Sequence, residues 1–492
     1  MAEAGKKYDL LIRNVRVVRP DADAPFDGDI GITGGKFAKV LPGLSPGEAK
    51  AIYDGKGRLA FPGVVDAHMH TGIYAPLAED AVSESRAAAQ GGVTTSLNYF
   101  RTGQYYLNRG GPYETFFPEV LKVSEGRFHV DYGYHLAPMD RGHISEIESL
   151  IEKHGVASFK IFMFYGSHGL HGRSDSQRDF LMIGEDERYD YAHFEFVMRG
   201  VQAARERFPR KAAQISLSLH CETAEIMTAY SRMVEREGRL SGLAAYHAAR
   251  PPHSEGLAVF IAAYLASESA LPNINLLHLS SRKALDAALQ MQALFPHIDF
   301  RREVTIGHLV LDVTSRAGVL AKVNPPIRPR EDVEYLWQQL LAGRIDWVVS
   351  DHACCRHETK AAKHALGNIW LAKSGFGGTE YLLPALVSEG AKRGLSMNRI
   401  AELVSRNPAQ RFGLNSKGDV AEGLDADLVL VDPRESWTIR AKDSASTQGY
   451  TPFEGIELSA RVKATFLRGE LVCENGNVVG QPRGKYLHRP TS

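Results

Sequence analysis

FPGVVDAHMH, residues 61–70, decides the fold. A short apolar run ends in two histidines two residues apart. Side chains at i and i+2 of a strand share a face, so His68 and His70 can reach one ion while Met69 points the other way. An HxH pair alone is weak, but the pattern recurs downstream in ASFKIFM (157–163), QISLSLH (214–220), INLLHLS (274–280) and IDWVVSD (345–351). These runs carry Lys160, His220, His278 and Asp351 at or near their downstream ends. Helical stretches such as SESRAAAQ (83–90), GLAVFIAAYLAS (256–267) and VEYLWQQLLAG (333–343) fill the gaps. A (β/α)8 TIM barrel presents ligands in this way, at the C-terminal rim of its strands. The six residues read as a two-metal hydrolase site.

Working outward, candidate barrel strands cover 63–68, 93–99, 130–135, 157–163, 215–220, 273–278, 302–307 and 346–350. An open sheet would more often show a Gly-rich first turn. The chain ends have another texture. YDLLIRNVRVV (8–18) and GDIGITGGKFAKVL (28–41) alternate with period two around glycine turns, as do GDVAEGLDADLVLVDP (418–433) and ARVKATFLRGELVCENGNVV (460–479). The expected organisation is a small β-sandwich domain from 1–61 and 418–479, a hydrolase barrel from 62–417, and an exposed C-terminal tail from 480–492. Two long loops, 101–117 and 166–191, are expected over the barrel mouth. They would bring Tyr105, Tyr106, Phe116, Phe117 and Phe180 there; interface aromatics are an equally ordinary explanation.

The bulk numbers narrow the class. Lys+Arg and Asp+Glu number 58 each, so the net charge is zero and no nucleic-acid footprint is expected. No apolar run approaches a membrane span, and MAEAGKKYDLLI (1–12) has no secretory core. Four cysteines, Cys221, Cys354, Cys355 and Cys473, give no disulfide framework, so the expected location is cytoplasmic.

Lys160 is the odd ligand. A lysine flanked by apolar residues is costly to bury unless paired or neutralised. It could pair with a carboxylate on a neighbouring strand, or react with CO2. The carbamate would turn a cation that repels two metals into an anion able to bridge them, and a lysine with a lowered pKa supplies the neutral amine this needs. Asp351 could instead cap the next loop. His135 and His308 read as supporting or core histidines, His352 as a residue that could orient substrate, and Cys354 as a small packing residue.

The chain resembles the cyclic amidohydrolases of the dihydropyrimidinase, hydantoinase and allantoinase group. The resemblance rests on DLLIRNVRVV, FPGVVDAHMH, GGVTTSLNY, SFKIFMFY, LHCET, YHAARPPHSE, LLHLSS, KVNPPIRPRED, VVSDHA and GLDADLVLVDP, and so covers nearly the whole chain. It implies two Zn2+ per subunit, with His68, His70, Lys160 and Asp351 on one and Lys160, His220 and His278 on the other. Lys160 would be a CO2-derived N6-carboxylysine. A metal-bridging hydroxide would attack the carbonyl of a cyclic amide or imide, Asp351 would carry the proton to the leaving nitrogen, and Tyr165 would hold the developing oxyanion. Tyr165 could alternatively be a packing aromatic at the rim. The resemblance further implies substrate contacts at Tyr165, Asn324, Ser374 and Gly375, and a homotetramer or homodimer.

Two departures from the group's pattern stand out. Ser374-Gly375 replaces the common Asn-Gly, and Cys354 stands where proline is common. Thr71-Gly72 after the HxH lacks the arginine of dihydroorotases, and Lys160 argues against deaminases. The ring therefore stays open, with hydantoins, dihydropyrimidines and allantoin all fitting the motifs. A linear amide, a carbamate or a lactone on the same metal site is the alternative chemistry, and a non-catalytic scaffold the alternative class.

Overall fold

In a computed structural model the chain is described over residues 6–166, 168–172, 176–362 and 367–491, so parts of the 166–191 loop and of the two expected end segments lie outside the described residues. Eight strands form the central sheet: β5 (Val64–Met69), β6 (Val93–Phe100), β7 (Asp131–Leu136), β8 (Ser158–Phe162), β9 (Ser216–His220), β10 (Asn273–Leu276), β11 (Asp299–Thr305) and β12 (Trp347–Val349). They lie side by side in chain order, all parallel. The sheet closes where Met69 bridges His352 and the His70 N–H donates to the His352 carbonyl at 2.7 Å. The expected barrel is thus present. Its strands are buried nearly throughout, which is why they read as apolar runs rather than alternating ones. β11 begins earlier than expected and ends at Thr305, whose hydroxyl accepts the His308 N–H and starts a short helix, Ile306–Val310.

The chain ends build a second sheet. β1 (Tyr8–Val17), β2 (Phe26–Thr33), β3 (Lys36–Leu41) and β4 (Ala49–Pro62) come from one end. β13 (Leu428–Asp432), β16 (Arg461–Leu467), β17 (Glu470–Glu474) and β18 (Asn477–Val478) come from the other. Between β13 and β16, β14 (Trp437–Thr438) and β15 (Glu457–Leu458) form a small ladder of their own. The large mixed sheet runs β18-β17-β16-β13-β4-β1-β2-β3, so antiparallel pairing of β4 with β13 joins the two ends. It folds over on itself, because Phe37 and Gly35 beside β3 exchange backbone hydrogen bonds with Gly423, Leu424 and Ala426 before β13. The enclosed core holds Ile12, Val17, Ile30, Phe37, Leu428 and Phe466.

β4 runs into β5 through Gly63. A Cβ there would lie 2.1 Å from Thr94 Oγ1 and 2.8 Å from Asp427 Cβ, so only glycine lets the second sheet approach the barrel. Buried charges reinforce this junction. Lys417 Nζ lies 2.5 Å from Asp427 and 2.9 Å from Asp131, and Asp131 also pairs with Arg468.

Residues 480–491 are exposed or half-buried apart from Arg489, yet they lie against the barrel rather than extending free of it. Gly484 donates to the Phe128 carbonyl, Tyr486 bridges Tyr132, and Arg489 is 1% exposed beneath the barrel. Its guanidinium donates to Ser158 Oγ at 2.8 Å and to the Tyr134 carbonyl. Ser158 in turn bonds His135 inside the barrel. Arg411 reaches the same end, donating to Asn275 Oδ1 at 2.6 Å. Among the described residues no helix is long and apolar enough to cross a membrane. Arg489→Ala leaves two buried acceptors without their donor and is expected to cost about 2–4 kcal/mol, read as a lowered denaturant midpoint.

Candidate metal centre

All six ligand-type residues meet at one rim of the barrel. A register shift between Asp66 and Met69 re-aims the end of β5. His68 Nε2 lies 3.2 Å from both Lys160 Nζ and Asp351 Oδ1, and His70 Nε2 lies 3.3 Å from the same carboxylate oxygen. His220 closes β9, with its ring centroid 4.3 Å from that of His278. His278 and Asp351 each sit two residues past a strand, in left-handed conformations with φ of 34° and 54°. Such outliers persist only where surrounding structure enforces them, and here they turn both side chains toward the other ligands. Donor atoms of His68, His278 and Asp351 lie within 4.8 Å of one another.

Burial sets the charges. Lys160 is 1% exposed, with Nζ 4.0 Å from the Tyr99 ring centroid and 4.3 Å from that of Phe162. Among the described residues no carboxylate forms an ion pair with it; its hydrogen bond is to His68. Loss of solvent pulls Lys160 from 10.5 down to about 7, against the pull of Asp351 and Glu303. Burial likewise carries His68, His70 and His278 well below the usual histidine value, and His220 to about 4. Four neutral imidazoles therefore offer lone pairs at neutral pH. His278 Nδ1 is buried with no hydrogen-bond partner, an orphan that a cation would satisfy. Imidazole nitrogens, a carboxylate and an uncharged lysine fit divalent ions such as zinc.

Sequence reading missed the groups that hold the ligands. Glu303 on β11 accepts from His68 Nδ1 at 2.7 Å, the His278 N–H at 3.1 Å and Trp347 Nε1 at 2.9 Å; burial pushes it up to about 8. A lone acid in an otherwise buried strand end, REVTI, was the available signal. Tyr106 OH lies 2.5 Å from His70 Nδ1. His220 Nε2 lies 2.6 Å from Glu222, itself paired with buried Arg250.

His352, which could orient substrate, does not line the cavity. It is fully buried, its Nε2 bonds Glu84 at 2.9 Å and its Nδ1 accepts the Gly378 and Thr379 N–H groups. It anchors the backbone beside Asp351 instead. His135 and His308 are core histidines, each hydrogen-bonded at both ring nitrogens. Cys354 is buried, and burial raises its thiol pKa, as a packing residue requires.

A cavity of about 460 Å³, including its opening, lies over the rim. Lys160, His70, His220, His278, Asp351, Tyr165, Asn324, Ser374 and Gly375 line it, so the expected contacts share one space. Asn324 is held by Tyr246 OH at 2.5 Å and the Leu170 carbonyl at 2.8 Å. The Ser374 N–H donates to His171 at 3.1 Å and its carbonyl accepts from Tyr74, so neither backbone group is free. Of the loop aromatics, Tyr106 lines the cavity, Tyr105 packs beside it on His171 and Tyr74, and Phe180 backs Tyr165. Phe116 and Phe117 do not reach the mouth. They lie on a helix, Tyr113–Ser124, packed against Phe100 and Tyr134 in the core.

The sequence model of the amidohydrolase family matches residues 211–472. An allantoinase of Rubrobacter xylanophilus is 32% identical, over 98% of this chain and 97% of that protein. An allantoinase of Salmonella newport is 30% identical over 98% of each. The solved L-hydantoinase (dihydropyrimidinase) of Arthrobacter aurescens superposes with a TM-score of 0.84 at 27% identity, over 97% of this chain and 99% of that one. Glu303→Ala frees His68 and the His278 backbone together. It is expected to weaken divalent-metal binding by about 10–100-fold, read as metal per subunit after dialysis against graded chelator.

Proposed function

This chain belongs to the amidohydrolase family, and we propose that it is a metal-dependent hydrolase that opens a neutral cyclic amide or imide. The observation that carries this is the cavity. It gathers five of the six ligand-type side chains, from the ends of five strands, with His68 buried directly behind them, and among the described residues no arginine or second lysine lines it to pair with a substrate carboxylate. Rings such as hydantoins, dihydropyrimidines and allantoin suit it, and dihydroorotate does not. Full-length similarity to allantoinases puts allantoin among the first to test.

His68, His70 and Asp351 would hold one metal and His220 and His278 the other, with Lys160 serving both. Bound zinc would supply charge to polarise the ring carbonyl and water that ionises near neutral pH. Lys160 would react as its neutral amine: a new N–C bond to CO2 forms, a proton leaves, and the side chain becomes an anion. Asp351, held between His68 and His70, would take the proton of the attacking water and deliver it to the ring nitrogen as the C–N bond breaks. Burial raises the Tyr165 pKa, so the phenol keeps its proton and can donate to the carbonyl oxygen as charge develops there. Asn324, Ser374 and Gly375 would shape the seat of the ring.

Two further properties belong to this reading. The chain would form a homo-oligomer, dimer or tetramer, through the helix Pro252–Glu268, which exposes Leu257, Phe260 and, at 58%, Tyr264 along one side. All four cysteines are free and buried, which suits the cytoplasm.

The test is a panel of allantoin, 5-substituted hydantoins, dihydropyrimidines, cyclic imides, lactams and dihydroorotate, with metal content measured beside Lys160→Ala. Opening of a neutral ring, lost with the metal in the variant, supports the proposal; a fully metallated enzyme inert on every ring overturns it. Because Lys160 is neutral above about pH 7 and protonated below, reactivation of stripped enzyme by zinc and bicarbonate should slow as pH falls below 7. A Phe260→Glu, Tyr264→Glu double variant should have a lower mass than wild type in light scattering.

A further inference from the structure

Arg101 follows β6 directly and is 0% exposed. Among the described residues no carboxylate pairs with it. Nη1 donates to the Thr102 carbonyl at 2.8 Å, while Nε and Nη2 are buried without a hydrogen-bond partner. The guanidinium is boxed by aromatic faces instead. Its Cζ lies 5.1 Å from the Tyr165 ring centroid, 5.4 Å from Tyr106 and 4.8 Å from Phe180. A buried cation without an anion is expensive, and stacking on rings offsets only part of that cost. The remainder is a fixed positive charge held in low dielectric beside the two phenols that matter most. Tyr165 lines the cavity, and Tyr106 lines it and holds His70.

Nothing at this position touches the cavity directly, since Arg101 is absent from its lining. Its influence must pass through the rings. A positive charge behind a phenol withdraws electron density from the O–H, and the resulting hydrogen bond gains most when its acceptor carries negative charge. The ring carbonyl oxygen becomes that acceptor only as the C–N bond is attacked.

We propose that Arg101 is a positioning residue for ring opening, one that fixes the Tyr165 phenol and strengthens the hydrogen bond it gives to the substrate oxygen in the transition state. The proposal rests on the reading of Tyr165 as the oxyanion donor. In line with it, Arg101 opposes the burial that raises the Tyr165 pKa. Thr102 takes only one of its nitrogens, so a purely structural role would leave the choice of a charged side chain here unexplained.

The test is a double-mutant cycle on metal-loaded enzyme, using the ring of the panel above that is opened fastest. Arg101→Met is expected to lower kcat by about 10–100-fold with KM and metal content near wild type, and Arg101→Lys to restore part of the loss. In a Tyr165→Phe background, Arg101→Met should add little. Losses that multiply in the double variant overturn the proposal. A second measurement needs no turnover. With 3-fluorotyrosine placed at position 165, the 19F signal reports phenol ionisation, and Arg101→Met should move its midpoint to higher pH. An unmoved midpoint overturns the proposal as well. If Tyr165→Phe alone leaves kcat unchanged, the oxyanion reading of Tyr165 fails, and the fluorine titration still decides whether Arg101 acts on that phenol. Should Arg101→Met not fold, Arg101→Lys carries both arms.

Discussion

One buried carboxylate organises the rim. Glu303 stands on β11 and grips His68 from β5, the backbone of His278 beyond β10 and Trp347 of β12. A barrel closes on itself through main-chain ladders, but ladders alone do not fix where strand-end side chains point. A shared acceptor does. His68 cannot turn without giving up its bond to Glu303, and His278 keeps its unusual backbone because its N–H is held by the same group. Tyr106 at His70 and Glu222 at His220 repeat the device, so three of the four imidazoles have one nitrogen fixed by a neighbour.

The electrostatic character of the cavity follows from burial rather than from any excess of one charge. Desolvation leaves the histidines uncharged and brings Lys160 close to neutrality. Two buried arginines near the cavity are set back from it. Arg250 is committed to Glu222 and Arg101 is walled off by rings. Among the described residues the walls carry no arginine and no lysine besides Lys160, and Phe162, Phe164, Leu170 and Val323 give them an apolar character beside the polar groups of the rim.

Much of this was legible in the sequence because parallel barrel strands are buried on both sides. Inside an apolar run such as SFKIFM, a lysine has no bland solvent-facing explanation, so Lys160 declares itself. Glu303 did not, because Arg301 and Arg302 precede it and the three together resemble a solvated stretch. Arg101 was hidden for a similar reason, at the start of a segment whose glycines and polar residues read as a loop. Phe116 and Phe117 read as part of that loop although they belong to a helix, since GGP at 110–112 masks the helix start. Apart from Glu222, two residues from His220, the partners of the ligands lie far away in sequence, and no spacing rule reaches them.

The seating of Arg489 under the barrel bears on how the molecule is made. Its partners, Ser158 and the Tyr134 carbonyl, belong to strands synthesised long before it. β4 likewise waits for β13. While the polypeptide is still emerging from the ribosome, all eight barrel strands can be present with the lower mouth unsealed and one edge of the second sheet unpaired. Such an edge invites contact with neighbouring nascent chains. A frameshift that altered only the residues after Gly480 would preserve every candidate ligand and still deny the barrel its floor.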